Sequence, residues 1–412
     1  MLDKTLTIIL AGGSGGRLKP LTDERAKAAI PFGGKYRLID FTLANCLNSG
    51  LRQVLILTQH KSHSLLKHLR DGWSIFNPEI GEHITAVPPQ MRAGENWNSG
   101  TANAIYHIRD LLERSAAQWA LVLMGGDQVY RMDYEPLIAA HVSRGAAATI
   151  VYIDLSSERI QDFDAIELDN NTYRVLRLGG QPQEWDGHRS GGSDGTARVL
   201  VSMGVYVVSM ELLLKCLEED YANQESAHDF CRDVIPSLTN YNAVYGYHFG
   251  GPGGRVNVDK YWQDVSTIDS YYEANMALLN PVPPINLYQT NWQIRTYPGQ
   301  HPPARTVPGK SGTEGICINS IVAGGVVISG GSAQHSILFA KTFLDDESIV
   351  QDSILFEGVR IGEGAQLRNC IVDKFVNIPA GESVGYDLNK DRQRFTVSNN
   401  GIVVIPRAYK FE

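Results

Sequence analysis

The sequence predicts an α/β domain built on a mostly parallel sheet, followed by a β-helix solenoid. Three features carry that expectation. A short apolar run, Leu6 to Leu10, passes straight into a glycine-rich loop. Strand-like and helix-like segments then alternate through the first two thirds of the chain. Beyond about residue 283 the helical period disappears, and short apolar pairs recur between small and polar residues. At 412 residues the chain is too long for one compact core, so two domains are expected.

The elements follow in order. Leu6 to Leu10 reads as a buried parallel strand, and Val54 to Thr58 as a second. Helices are expected over Leu38 to Ser49 and Ser62 to Leu69. Asn103 to Ser115 has helical periodicity, Trp119 to Met124 reads as a strand ending at Gly125-Gly126-Asp127, and a further helix ends at His141-Val142. Strands are expected at Ala147 to Ile153 and Val199 to Val208, with a glycine-rich loop over residues 179–195 between them. Asp269 to Ala277 reads as a helix. The expected organisation is an α/β domain over 1–282, a proline-rich linker over 283–315 and a solenoid over 316–412.

The solenoid reading rests on Ser320-Ile321-Val322, Val326-Val327-Ile328, Ser336-Ile337-Leu338, Ser353-Ile354-Leu355 and Cys370-Ile371-Val372. Each such coil buries its apolar face only against its neighbours, so coils must stack. A small β-sandwich is the alternative; the solenoid predicts a triangular prism with one coil about every 18 residues.

A formal net charge of -8 and the absence of a basic tract argue against nucleic-acid binding. The five cysteines, Cys46, Cys216, Cys231, Cys317 and Cys370, have no paired metal spacing and suit a reducing compartment. The apolar run at the N-terminus is too short for a signal peptide or a spanning helix, so no membrane role and a cytoplasmic location are expected.

The chemistry concentrates in Ala11-Gly12-Gly13-Ser14-Gly15-Gly16-Arg17-Leu18-Lys19. It follows a strand directly, where open α/β sheets bind ligands. Glycines there let backbone N–H groups approach phosphate oxygens, and Arg17 adds a cationic contact. No Gly-Lys-Ser/Thr follows, and the register of a dinucleotide fingerprint is absent. A purely structural glycine turn is the alternative. Lys27 lies eight residues beyond Lys19, close in sequence to this loop.

The run AGGSGGRLKPLTDERAKAAIPFGGKYRLIDFTLANCLNSG resembles the opening of bacterial glucose-1-phosphate adenylyltransferase, or ADP-glucose pyrophosphorylase. The likeness continues through TQHKSHSLLKHLRDGWSIF, GENWNSGTANAIY, GDQVYRMDY, SMGVYVV, SAHDFCRDVIP, YWQDVSTIDSYYEAN, NWQIRTY and RFTVSNNGIVVIP, covering nearly the whole chain. The resemblance implies a Rossmann-like nucleotidyltransferase domain followed by a left-handed parallel β-helix. It implies conversion of ATP and glucose 1-phosphate to ADP-glucose and pyrophosphate in glycogen synthesis, regulation by a phosphorylated sugar, and a homotetramer.

The same resemblance assigns roles. Asp127 and Asp264 match metal-binding aspartates, whose hard oxygens suit Mg²⁺. With Arg17 and Lys27 they form the expected catalytic set. Gly12, Gly13 and Gly15 belong to the phosphate loop. Gln90, Gly100 and Thr101 match the adenine side, with a helix start capped by Thr101 as the structural reading. Ser202 and Gly204 match the glucose side. Lys19 aligns with an effector-binding lysine, and Arg25, Arg37 and Arg394 are further basic candidates near the same interdomain region.

Departures cluster on the sugar-phosphate side. Where the family has Glu-Lys-Pro this chain has Gly180-Gln181-Pro182, so Gln181 stands in place of a phosphate-binding lysine, and no lysine occurs from Tyr130 to Leu214. Gln128, Asp164, Gln263 and Ser266 also differ from the usual pattern. Two alternatives therefore stand beside the adenylyltransferase reading: a catalytically silent regulatory subunit pairing with an active paralogue, and a pyrophosphorylase for another sugar 1-phosphate or nucleotide.

Overall fold

The structure is a computed structural model, described over residues 1–59, 61–89, 100–156, 163–179, 190–191, 197–239, 243–251, 254–256 and 260–411. Its N-terminal half is a mixed sheet in the order Val244–His248, Ala148–Ser156, Ala197–Ser209, Trp119–Leu123, Thr5–Ala11, Gln53–Thr58, His83–Val87. Thr5–Ala11 is an interior strand of this sheet, parallel to both neighbours. All seven of its residues are buried, as a strand covered on two faces must be. Ala197–Ser209 runs antiparallel to both flanking strands, and its ladder is irregular between Ser202 and Tyr206.

Most expected elements fall within a residue or two of their places, but the helix expected over Ser62 to Leu69 spans His63–Trp73, the strand expected over Ala147 to Ile153 spans Ala148–Ser156, and two further differences stand out. The helix expected over Asn103 to Ser115 is two helices, Thr101–Tyr106 and Arg109–Arg114. Ile108 leaves helical geometry at φ -102° and ψ 10°, yet Ile105, Ile108 and Leu112 all remain buried, so the apolar period runs through the break. Within the loop expected over 179–195, Ser190–Gly191 pairs with the long antiparallel strand. No helix among the described residues is long and apolar enough to cross a membrane.

The C-terminal domain is a left-handed parallel β-helix of three sheets, parallel throughout except where Thr396–Val397 pairs antiparallel with Val403–Ile405. Ile337 pairs with Ile354 and Ile354 with Ile371, a coil of 17 residues rather than the 18 expected from the pattern. Arg305–Val307 pairs with Val327–Ser329, so the first coil draws on residues from the proline-rich segment. The corners require left-handed backbone and recur coil by coil. One corner carries Asn319, His335, Asp352 and Asn369 at φ between 45° and 51°, and another carries Gly330, Glu347, Gly364 and Gly381 at φ between 56° and 71°.

The two domains share one core. Leu18 and Leu21 from the glycine loop, and Ile268 and Tyr271 from the helix Ile268–Met276, pack with Ile337, Ile354, Phe356, Ile371 and Val404 of the β-helix. Ser398 donates to Asp269, and the Tyr272 hydroxyl donates to the Asp352 carbonyl at 2.5 Å across the same seam. The loop that bears Arg17 therefore rests on the solenoid.

Candidate active site

Thr5–Ala11, Gln53–Thr58 and Trp119–Leu123 end on one side of the sheet, and their C-terminal ends open into a cavity of about 450 Å³. That size suits a nucleotide-sized ligand. Gly12 and Gly13 form its floor, with Lys27, Gly100, Thr101, Asp127 and Asp229 around it.

Within the glycine loop, Gly15 has the strictest requirement. Its φ is +62°, and a side chain there would meet Thr22 at 2.7 Å and the Lys27 Cβ at 3.3 Å. The Thr22 hydroxyl donates to the Gly15 carbonyl at 2.9 Å, fixing the turn. Gly13 faces open space, leaving its backbone accessible. Arg17 follows on the short turn Gly16–Leu18 and is exposed.

Asp127 and Asp264, 137 positions apart, are brought together by a small ladder. Gln128–Tyr130 pairs antiparallel with Trp262–Asp264, setting Asp264 opposite Gln128 and hence beside Asp127. The Trp262 indole donates to the Gln128 amide oxygen at 3.2 Å and tightens this ladder. Lys27, on the turn Lys27–Ala29, places its Nζ 2.5 Å from Asp127 Oδ2. Burial works against the ammonium, but Asp127 and Asp264 outweigh it and hold the Lys27 pKa above the ordinary lysine value. Burial raises the Asp264 pKa, Lys27 opposes that shift and Asp127 adds to it. The charge of Arg17 reaches both Lys27 and Asp264.

Two carboxylates converging on one ammonium form a site that requires positive charge. Among the described residues no group of three or more His, Cys, Asp or Glu gathers into a ready-made metal cage. The hard carboxylate oxygens of the pair could hold a divalent cation that takes its remaining ligands from phosphate and water.

Gly100 and Thr101 line the cavity. Thr101 is not the helix cap. Gly100 occupies the cap position of Thr101–Tyr106, and the Thr101 hydroxyl instead accepts from the Phe230 N–H at 2.7 Å. Gln90 and Gln181 lie outside the described residues. Outside the cavity lining, the buried Ser202 hydroxyl is 3.0 Å from the Tyr206 hydroxyl and accepts from the Gly204 N–H at 3.2 Å. Tyr206 in turn contacts the Cys231 thiol at 3.3 Å.

Sequence reasoning missed Asp229 and Gln59. Asp229 follows His228 in the quoted SAHDFCRDVIP run, and one of its oxygens accepts from the Cys231 and Arg232 N–H groups. Gln59 lies just past a strand end, with its Cβ 3.0 Å from where a Gly12 side chain would project. A polar residue immediately beyond a parallel strand is the signal that marks it.

The four candidate effector residues divide. Lys19 is exposed. Arg25 is buried and pairs bidentately with Asp373 of the β-helix at 2.7 and 3.0 Å, with a further bond to the Leu21 carbonyl. Arg37 is partly buried and donates to the Ser64 carbonyl at 2.6 Å. Arg394 pairs with Glu382 and Asp391 inside the β-helix domain. Lys374, overlooked in the sequence, lies 3.1 Å from Glu357. Burial lowers its pKa, Glu357 opposes that, and Arg37 and Arg25 lower it further, so these three cations share one interdomain neighbourhood.

Comparison with known proteins agrees with this architecture. A nucleotidyl transferase family model matches residues 6–281, and a GlmU-like C-terminal hexapeptide model matches residues 302–405. The chain is 51% identical over 412 residues to glucose-1-phosphate adenylyltransferase 2 of Vibrio cholerae, covering 100% of this chain and 99% of that protein. It is 55% identical over 406 residues to the protein of the same name from Vibrio vulnificus, covering 98% and 99%. Identity to glucose-1-phosphate adenylyltransferase of Paramagnetospirillum magneticum is 40% over 413 residues, covering 98% and 94%. With a phosphate-type glycine loop, paired aspartates at strand ends and full-length likeness of this degree, the chain belongs to the glucose-1-phosphate adenylyltransferase family.

Proposed function

We propose that this chain transfers the adenylyl group of ATP to glucose 1-phosphate, giving ADP-glucose and pyrophosphate for glycogen synthesis. The observation that carries the reading is the grouping of Lys27, Asp127 and Asp264 beside a glycine loop in a nucleotide-sized cavity. A phosphate oxygen of the sugar attacks the α-phosphorus in line. A new P–O bond forms, and the bond to the pyrophosphate oxygen breaks with its electron pair leaving on pyrophosphate. No covalent enzyme intermediate is needed, so the chain's work is positioning and charge stabilisation.

Backbone N–H groups of Gly12, Gly13 and Gly15 would hold phosphate oxygens, and Arg17 would neutralise the outer phosphates. Lys27 would move its ammonium from Asp127 to the transferring phosphoryl group. Asp127 and Asp264 would hold Mg²⁺, which supplies charge neutralisation across the phosphates when bound. Gly100, Thr101 and Gln90 would border the adenine, and Ser202, Gly204 and Gln181 the sugar phosphate. Arg37 and Lys374, with Lys19, would take a phosphorylated sugar effector; Arg25 is committed to Asp373. A homotetramer, or a hetero-oligomer with a paralogue, is the expected assembly.

One sequence feature favours a second reading, a silent regulatory subunit. Gln181 replaces a cationic contact worth roughly 1.5 to 3 kcal/mol, or about one to two orders of magnitude in sugar-phosphate affinity. Pyrophosphate release from ATP, Mg²⁺ and glucose 1-phosphate, with and without fructose 1,6-bisphosphate, separates the two when run beside Gln181→Lys. Turnover by the native chain supports the enzyme. Silence of the native chain with activity in Gln181→Lys supports the regulatory subunit. Silence of both points to another sugar 1-phosphate or nucleotide.

A further inference from the structure

The cavity has two walls that are far apart in sequence and sewn together at one point. One wall begins at Gly100-Thr101. The other is marked by Asp229, in the run His228-Asp229-Phe230-Cys231, which reaches Ser202 through the contacts of Cys231 with Tyr206 and of Tyr206 with Ser202. Three contacts make the seam. The Ala102 N–H donates to the His228 carbonyl at 2.8 Å. The Phe230 N–H donates to the Thr101 hydroxyl at 2.7 Å. Gly100 lies so close that a side chain there would sit 2.1 Å from the His228 carbonyl oxygen. Gly100 is extended at φ -168°, so it is this close approach, and not a special backbone angle, that calls for glycine.

The second wall is also held on its other side. His228 adopts φ +56°, which an L-residue takes only when its surroundings dictate it. Its ring lies 2.9 Å from Asp220, and its N–H donates to Ser226. Asp229 has one oxygen fixed as the cap of Phe230–Val234, while its side chain borders the cavity. Phe230 itself is buried and packs edge-on against Tyr206. A shift of the Phe230 backbone therefore carries Asp229 on one side and the Tyr206–Ser202 pair on the other.

From this geometry we infer that Thr101 is a positioning residue that couples nucleotide binding to the sugar-phosphate wall. A nucleotide that settles on Gly100-Thr101 fixes the Thr101 hydroxyl, and that hydroxyl fixes the Phe230 N–H, which aims Asp229 and Ser202. Thr101 acts through the Phe230 backbone. The inference rests on the substrates proposed above.

The test uses the full chain with Thr101→Val, which keeps the shape and removes the hydroxyl, and Thr101→Ser, which restores it. Glucose 1-phosphate binding is titrated with and without α,β-methylene-ATP, a nucleotide that cannot be cleaved at the α-phosphorus. Exchange of the Phe230 amide hydrogen is followed in parallel. The expected result is a glucose 1-phosphate affinity in the presence of nucleotide that falls roughly three- to tenfold in Thr101→Val. Glucose 1-phosphate affinity measured without nucleotide should change less than twofold, Phe230 exchange should accelerate and lose its slowing by nucleotide, and Thr101→Ser should behave as the native chain. An equal fall in glucose 1-phosphate affinity with and without nucleotide, or an unchanged Phe230 exchange rate, overturns the inference. Thr101→Ala, read by the same exchange, serves if the valine variant does not fold. If the native chain binds nucleotide but never glucose 1-phosphate, the substrate reading fails; slowing of Phe230 exchange by nucleotide, lost in Thr101→Val, still decides whether the seam transmits.

Discussion

The Lys27 ammonium lies 2.5 Å from an Asp127 carboxylate oxygen and within electrostatic reach of Asp264. Both side chains of the pair are largely shielded, at 13% and 17% exposure, so the attraction is not screened away as it would be on the surface. The lysine neutralises two carboxylates that would otherwise repel one another. It also competes with any divalent cation for the same oxygens. Replacing Lys27 with Met should therefore raise Mn²⁺ affinity in the absence of nucleotide by about tenfold, roughly 1.4 kcal/mol. Electron paramagnetic resonance of free Mn²⁺ measures this directly. The same variant should release pyrophosphate at least about a hundredfold more slowly, since a preorganised charge near the reacting phosphate contributes several kcal/mol. An unchanged Mn²⁺ affinity would mean that the lysine does not guard the carboxylates.

The Arg25–Asp373 pair joins the loop after the glycine turn to the β-helix, with both side chains at 4% exposure or less. Removing one partner strands the other charge in a low-dielectric seam. Arg25→Met is expected to destabilise the chain by about 3 to 5 kcal/mol, whereas Arg25→Met with Asp373→Leu should recover most of that loss. Chemical denaturation of the two variants reads the difference. Equal loss in both would assign the cost to packing around Phe356, over which the guanidinium lies at 5.9 Å.

Much of this fold is legible in the sequence because its signals are local. The buried strand Thr5–Ala11 is an unbroken apolar run apart from Thr5 and Thr7, and the glycine loop follows it without a gap. Asp127 and Asp264 each carry a family motif, although only the ladder between Gln128 and Asp264 explains how they meet. What the sequence hides is set by distant partners. Nothing local distinguishes Arg25 from a solvated arginine, because Asp373 lies 348 positions away. Thr101 looks like a helix cap because threonine before a helix usually is one, and its actual partner, Phe230, is 129 positions away. The helix break near Ile108 escapes notice because burial continues through it.

The corner ladder Gly330, Glu347, Gly364, Gly381 contains one residue with a side chain, and Glu347 holds φ at +56°. Left-handed backbone costs a non-glycine residue roughly 1 to 2 kcal/mol, and glycine loses up to about 1 kcal/mol of that advantage through the freedom of its unfolded chain. Glu347→Gly should thus stabilise the β-helix by about 0.5 kcal/mol. Glu347→Val, a β-branched residue at the same angle, should destabilise it by about 1 to 2 kcal/mol. Thermal melts of both variants give the order; a valine variant as stable as the glycine one would show that the corner relaxes freely.

His141 supplies a pH dependence whose sign is fixed by its burial. It is 1% exposed on the helix Tyr134–Ser143, and its Nδ1 lies 3.0 Å from the Thr149 hydroxyl. Burial pushes its pKa down from 6.5 to about 4. The unfolded chain therefore takes up a proton near pH 6.5 while the folded chain resists until about pH 4, and protons favour unfolding in between. The stability that neutral His141 contributes is fully present above pH 6.5 and drains away as the pH falls toward 4, by at most about 3 kcal/mol. His141→Asn keeps a polar partner for Thr149 but cannot titrate. It should be less stable than the native chain at pH 8, because it leaves a cavity, and it should lose less stability on going to pH 5. Urea midpoints of both proteins at the two pH values measure the difference in slope, and equal slopes would assign the acid sensitivity to other groups.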